Sequence, residues 1–122
     1  MSFGLKPETI ARIRDILAEH GEVDEAIVYG SRAKGTSKPG SDIDISLKGQ
    51  AIDLHVLNKI SHEFDELPIP YTIDVSNYNR IDNPELLSHI DRVGKLLYKR
   101  QEKDSAISDS DSKRGINYED RI

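Results

Sequence analysis

Apolar residues recur at helical spacing at Ile10, Ile13, Ile16 and Leu17, which predicts a helix over residues 7 to 20. Pro7 suits its first turn and Gly21 its stop. A short apolar run over residues 26 to 29 ends at Gly30 and reads as a buried strand. Residues 31 to 40 are polar, with Gly35, Pro39 and Gly40 marking turns. Strict alternation then predicts a strand over 42 to 48: Ile43, Ile45 and Leu47 face one way, Asp42, Asp44 and Ser46 the other. Val56, Ile60, Phe64 and Leu67 form the stripe of a helix over 52 to 67, which Pro68 and Pro70 end. Alternation resumes over 71 to 75, with Asp74 between Thr72 and Ser76 on the polar side. Asn83 and Pro84 form a helix start, and Leu86, Ile90, Val93 and Leu97 give that last helix its apolar face.

These elements predict an α/β (α+β) fold, a small mixed sheet of about three strands flanked by helices. The whole chain has 122 residues, room for one domain. The expected division is a folded domain over 1–99 and a polar, flexible C-terminal tail over 100–122, whose Ser/Asp run can bury almost nothing. A short ordered piece near Ile116 and Tyr118 is compatible with that tail. No run is long enough to cross a bilayer and the N-terminus lacks a signal-peptide pattern. The expectation is therefore a cytoplasmic protein with no membrane partner. Cysteine is absent, which removes disulfides, thiolate metal sites and a cysteine nucleophile. The net charge of −5 argues against unaided nucleic-acid binding. The basic cluster Arg32, Lys34 and Lys38 suits one small polyphosphate better.

Asp42 and Asp44 project from one face of their strand, roughly 6.6 Å apart. Such a pair can converge on two divalent ions about 3.5–4 Å apart. If the strand bearing Asp74 is a neighbour, three carboxylates meet, and a hard cation removes their mutual repulsion. Oxygen-only ligands favour Mg²⁺ or Mn²⁺. Gly30 and Ser31 lie where a buried strand gives way to a short helix over 31 to 34. Gly30 admits a phosphate close to the backbone, Ser31 adds a hydroxyl, and Arg32 and Lys34 are candidate triphosphate contacts. The combined chemistry is transfer of a nucleotide from a nucleoside triphosphate, with Asp74 taking the proton of the attacking hydroxyl.

Tyr29-Gly-Ser-Arg-Ala-Lys-Gly35, then Ser41-Asp-Ile-Asp-Ile45, then a third Asp on a later strand resembles the DNA polymerase beta superfamily, and most closely its minimal nucleotidyltransferase (MNT) branch. The resemblance spans residues 5 to 99 in element order; its specific part is residues 29 to 45 plus Asp74. It implies a polymerase-beta-like core. It also implies that Gly30 and Ser31 hold the triphosphate, that Asp42 and Asp44 bind two Mg²⁺ ions, and that Asp74 completes the metal site. It further implies an antitoxin that transfers AMP from ATP to a tyrosine of a helical HEPN toxin. Ser76 and Asn77 depart from the pattern, since relatives continue apolar after the third Asp.

Alone, Asp-x-Asp reads as the wet face of an edge strand and Gly-Ser as a turn; each gains its meaning from the other. The Gly30 to Ser37 segment has a P-loop frame, but Thr36 stands where lysine is needed. Asp109-Ser-Asp-Ser lacks the glycine of a calcium loop. His20, His55, His62 and His89 show no metal-ligand spacing and read as surface or helix-face residues. Two alternatives remain open: a non-catalytic nucleotide-binding module that neutralises a partner by occlusion, and a small-molecule nucleotidyltransferase of aminoglycoside type.

Overall fold

The computed structural model describes residues 3–35 and 42–100. The first helix, α1 (Pro7–Glu19), turns Ile10, Ile13 and Leu17 inward. The chain then enters β1 (Glu25–Tyr29), whose Ala26 and Val28 are buried. A single helical turn, α2 (Ser31–Lys34), follows directly and closes on Gly35 in the left-handed conformation. Beyond the undescribed residues 36–41 comes β2 (Ile43–Lys48), antiparallel to β1. The helix α3 (Leu54–Asp65) starts at Asp53, whose carboxylate accepts the Val56 N–H at 2.9 Å. It is the crossover that a parallel neighbour requires, and it leads to β3 (Ile73–Asn77), parallel to β2. A 3₁₀ turn (Tyr78–Arg80) and α4 (Pro84–Val93) precede the last strand, β4 (Lys95–Lys99).

The sheet order is β3-β2-β1-β4. Ile43, Ile45 and Leu47 of β2 pack into one buried cluster with Val28, Ile13, Leu17, Ile60 and Phe64. The α+β class therefore stands as the hydrophobic pattern predicts, with four strands rather than three.

The fourth strand corrects the expected long last helix. The helix stops at Val93 because the chain turns extended at Gly94 (φ −63°, ψ 145°), whose N–H donates to Ile90 O at 2.8 Å. A Cβ on Gly94 would run into the Ile90 carbonyl and the Ile27 side chain. Leu97 is buried as expected, but in a strand paired with β1. β3 sits two residues later than predicted in the same phase. Its end holds because buried Asn77 is satisfied by donating to Ile52 O at 2.9 Å and accepting from Asn79 N–H.

Arg100 belongs to this packed unit: its guanidinium donates to His20 O at 2.7 Å and Val23 O at 3.1 Å. The expected tail beyond it, Ile116 and Tyr118 included, and Lys38 lie outside the described residues. Among the described residues no helix is long and apolar enough to cross a membrane.

Candidate active site

Strand register assembles the site. Tyr29 lies opposite Asp44 across the antiparallel pair, and Asp44 lies opposite Asp74 across the parallel one. The three form one row across neighbouring strands, each about 4.8 Å from the next. In a sheet, residues paired in register share a face, so Asp44 and Asp74 project together. Asp42 stands exposed, one residue before β2, on the same phase of the alternation. Ser46 and Ser76 pair in the next row, with Ser76 Oγ donating to Ser46 Oγ at 3.2 Å. The expected wet face is thus closed at its lower end, where Ser46 is fully buried.

Gly30 brings the backbone against this row. Its φ of +74° with ψ of −152° is a conformation that L side chains rarely adopt. A Cβ at this position would sit 2.7 Å from Asp44 Oδ2. The strand-to-helix turn therefore passes its backbone directly over the carboxylate, and Ser31 opens α2 at that spot. Lys34 is exposed at the far end of the same turn.

Arg32 is placed elsewhere than a surface cation would be. It is buried, its Nη1 donates to Phe3 O at 3.0 Å, and its guanidinium lies 4.7 Å from the centre of the Tyr71 ring. That position ties α2 to the N-terminal segment and to the start of β3.

Electrostatics mark the row as a unit. Burial raises the Asp44 carboxyl above its ordinary pKa, the charges of Asp74 and Asp42 raise it further, and His89 opposes them. Burial likewise raises the Tyr29 phenol; its hydrogen bond with Ser76 acts the other way, and Asp44 and Asp74 add to the rise. Among the described residues no group of three His, Cys, Asp or Glu side chains is gathered closely enough to hold a metal as it stands. The donor set nonetheless fits a hard cation. It is all oxygen, and Asp44 is penalised by two like charges that a cation would neutralise.

Two residues near the row lie outside the set of site residues predicted from the sequence. His89 reaches it from α4, its ring edge-on to Tyr29 at 6.1 Å and 82°. Its position one place before the buried Ile90 on the apolar stripe is the only trace of this in the sequence. Tyr29 carries a clearer signal, since it immediately precedes Gly30 and alternates with buried Val28. Of the other histidines, His20 pairs with Glu63 at 2.8 Å and His62 with Glu66 at 3.4 Å.

The polymerase beta nucleotidyltransferase family model matches residues 11–103. No curated protein sequence matches the chain. The fold is similar to that in a crystal structure of a toxin–antitoxin with AMP-PNP, with TM-score 0.61 and 18% identity over 80% of this chain and 76% of that one. It is also similar to a tri-AMPylated Shewanella oneidensis HEPN toxin in complex with MNT antitoxin, with TM-score 0.59 and 15% identity over 76% of this chain and 71% of that one. A crystal structure of the toxin–antitoxin MntA-HepT gives TM-score 0.60 and 14% identity over 78% and 74% of the two chains. At such identities the likeness is one of fold. The matched domain and the four-stranded mixed sheet agree, and the chain belongs to the polymerase beta nucleotidyltransferase family, with the fold of its minimal members.

Proposed function

We propose that the chain is a Mg²⁺-dependent adenylyltransferase that moves AMP from ATP to a tyrosine hydroxyl of a HEPN-type toxin and so acts as its antitoxin. The observation that carries this reading is the in-register pair Asp44 and Asp74 beside the Gly30 backbone. In this reading Gly30 gives the triphosphate close access to the backbone, Ser31 adds a hydroxyl, and Lys34 supplies a nearby cation. Arg32 acts through position, holding α2 against the N-terminal segment. Asp42, Asp44 and Asp74 would hold the two Mg²⁺ ions, which when bound neutralise the triphosphate and polarise the α-phosphate.

The tyrosine oxygen forms a bond to the α-phosphorus as the bond from that phosphorus to the bridging oxygen breaks. Pyrophosphate leaves with that electron pair. The phenol proton passes to the Asp74 carboxylate, which stands exposed at the open side of the row. The HEPN assignment is supported by likeness to solved toxin–antitoxin structures. The acidic balance of the chain supports a protein acceptor over a nucleic acid, in a cytoplasmic setting. Residues 1–99, with Arg100 packed against them, form the catalytic domain in this reading, and the polar segment from residue 101 onward is its appendage.

The test uses the protein, Mg²⁺, a co-encoded HEPN protein and ATP labelled at the α- or the γ-phosphate. Label on the HEPN protein from the α-phosphate only, lost in Asp42→Ala/Asp44→Ala, is the expected result. No transfer to the HEPN protein overturns the proposal. Persistent toxin neutralisation by the inactive variant would then favour occlusion.

A further inference from the structure

The two edges of the sheet are unlike. β4 carries Lys95 and Lys99 at its ends, and its register against β1 shifts between Ala26 and Ile27. Charges and bulges of this kind discourage further strand pairing. β3 (Ile73–Asn77) contains no lysine, proline or bulge, and among the described residues it pairs only with β2.

One bond fixes where its spare backbone groups point. The Ile43 N–H donates to Thr72 O at 2.9 Å. In a parallel ladder, residues 72, 74 and 76 then turn their backbone toward β2, and 73, 75 and 77 turn theirs outward. Among the described residues no backbone partner meets Ile73 or Val75 on that outer side. Beside them lies a cavity of about 390 Å³ whose lining includes Leu54, Leu57, Val75 and Ile81 with the charged residues Asp53 and Arg80. Leu54 is 70% exposed, and Arg80 has no ion-pair partner among the described residues. Val75 follows Asp74 directly, so its side chain lies on the sheet face opposite the aspartate row while both residues belong to the same free edge.

We infer that this edge receives, as an added strand, the extended segment of the partner protein that bears the acceptor hydroxyl. The inference rests on the transfer reading above and names how that substrate is held. Outward backbone groups of Ile73 and Val75 bind the segment's main chain, and the cavity takes an alternate side chain. Side chains of an added strand alternate between faces. The residue beside Asp74 therefore presents its hydroxyl on the catalytic side, and an apolar residue an odd number of positions away fills the cavity against Leu54 and Leu57. Arg80 asks for an acidic residue next to that anchor. A second copy of this chain is the poorer occupant, because pairing β3 with β3 would gather two Asp74 carboxylates on one edge.

The test measures AMP transfer to the co-encoded HEPN protein by wild type, Leu54→Asp and Arg80→Glu, with circular dichroism melts to establish folding. Each variant should raise KM for the protein acceptor about tenfold while kcat and the KM for ATP stay within about twofold. A lysine placed at the segment's acidic position should restore KM for Arg80→Glu. Unchanged acceptor KM in both variants overturns the inference and leaves the transfer reading standing. A wild-type dimer in sedimentation that Leu54→Asp dissociates also overturns it and assigns the edge to a second copy. If wild type transfers nothing, the transfer reading falls first; equal calorimetric affinity of wild type and Leu54→Asp for the HEPN protein then removes the docking edge as well.

Discussion

Replacing Gly30 with alanine separates what this turn does for the fold from what it does for the site. Backbone near φ +74°, ψ −152° is almost exclusive to glycine, so a side chain there costs about 1–3 kcal/mol. For a domain this size each kcal/mol lowers Tm by roughly 4–8 °C, so a fall of roughly 5–20 °C is expected. The new Cβ also meets Asp44 Oδ2 at 2.7 Å, whereas ordinary contact begins at 3.4 Å, so the carboxylate must retreat by about 0.7 Å. That oxygen is the end of a side chain and can move, so the clash adds little to the stability loss. It falls instead on chemistry, because a misplacement near 1 Å can cost about a hundredfold in rate. Transfer by Gly30→Ala, assayed below its melting range, should drop by about ten- to a hundredfold. Gly35→Ala is the control: φ is +78° but nothing among the described residues lies within 4 Å of its Cβ. It should lose about 1–2 kcal/mol by thermal melting with transfer within about twofold of wild type. Wild-type transfer by Gly30→Ala, or an equal loss in Gly35→Ala, would refute the argument.

Asp44→Asn should abolish transfer yet raise Tm at neutral pH in the presence of a chelator. The folded-state pKa of Asp44 lies above its ordinary 3.8, so the folded protein binds the proton more tightly than the unfolded chain. Stability therefore declines as pH rises through the window between those two pKa values, and ionised Asp44 is a net cost above it. The Tm difference should close below the ordinary value, and Mg²⁺ should stabilise wild type more than the variant; a lower Tm for the variant at pH 7 with chelator would contradict this. Arg32→Ala should cost about 2–3 kcal/mol in urea unfolding, because Phe3 O loses its buried donor and Tyr71 its stacked cation. Arg32→Lys should recover little of it, since a point charge does not reproduce both contacts, and an unchanged midpoint in either variant would show those contacts to be idle.

Legibility in the sequence followed how local each determinant is. The phases of α1, β1 and β2 are readable because their apolar periods are unbroken and bounded by glycine or proline. The Asp44 and Asp74 phases are likewise readable, but their pairing is not, since register depends on where β3 docks. β4 was hidden because Leu97 also continues the helical stripe of Ile90 and Val93. Only the otherwise unpaired flank of β1, a tertiary partner, decides for strand there. The burial of Arg32 is not readable from the sequence, because Phe3 and Tyr71, which close over it, are distant along the chain. Ser46 looks solvated for the same reason, and its burial depends on Ser76 from another strand.

The parallel register of β2 and β3 also governs which length changes this protein can absorb. The separation of Asp44 and Asp74 is set by a hydrogen-bond ladder whose side chains reverse face at every residue. Inserting or deleting one residue inside β3 would turn Asp74 to the core side and drive Ile73 or Val75 into water. The same change in the connection between α3 and β3 leaves the ladder to re-form unaltered. Among descendants of such a chain, length variation should therefore accumulate on the approach to β3 and be purged within it.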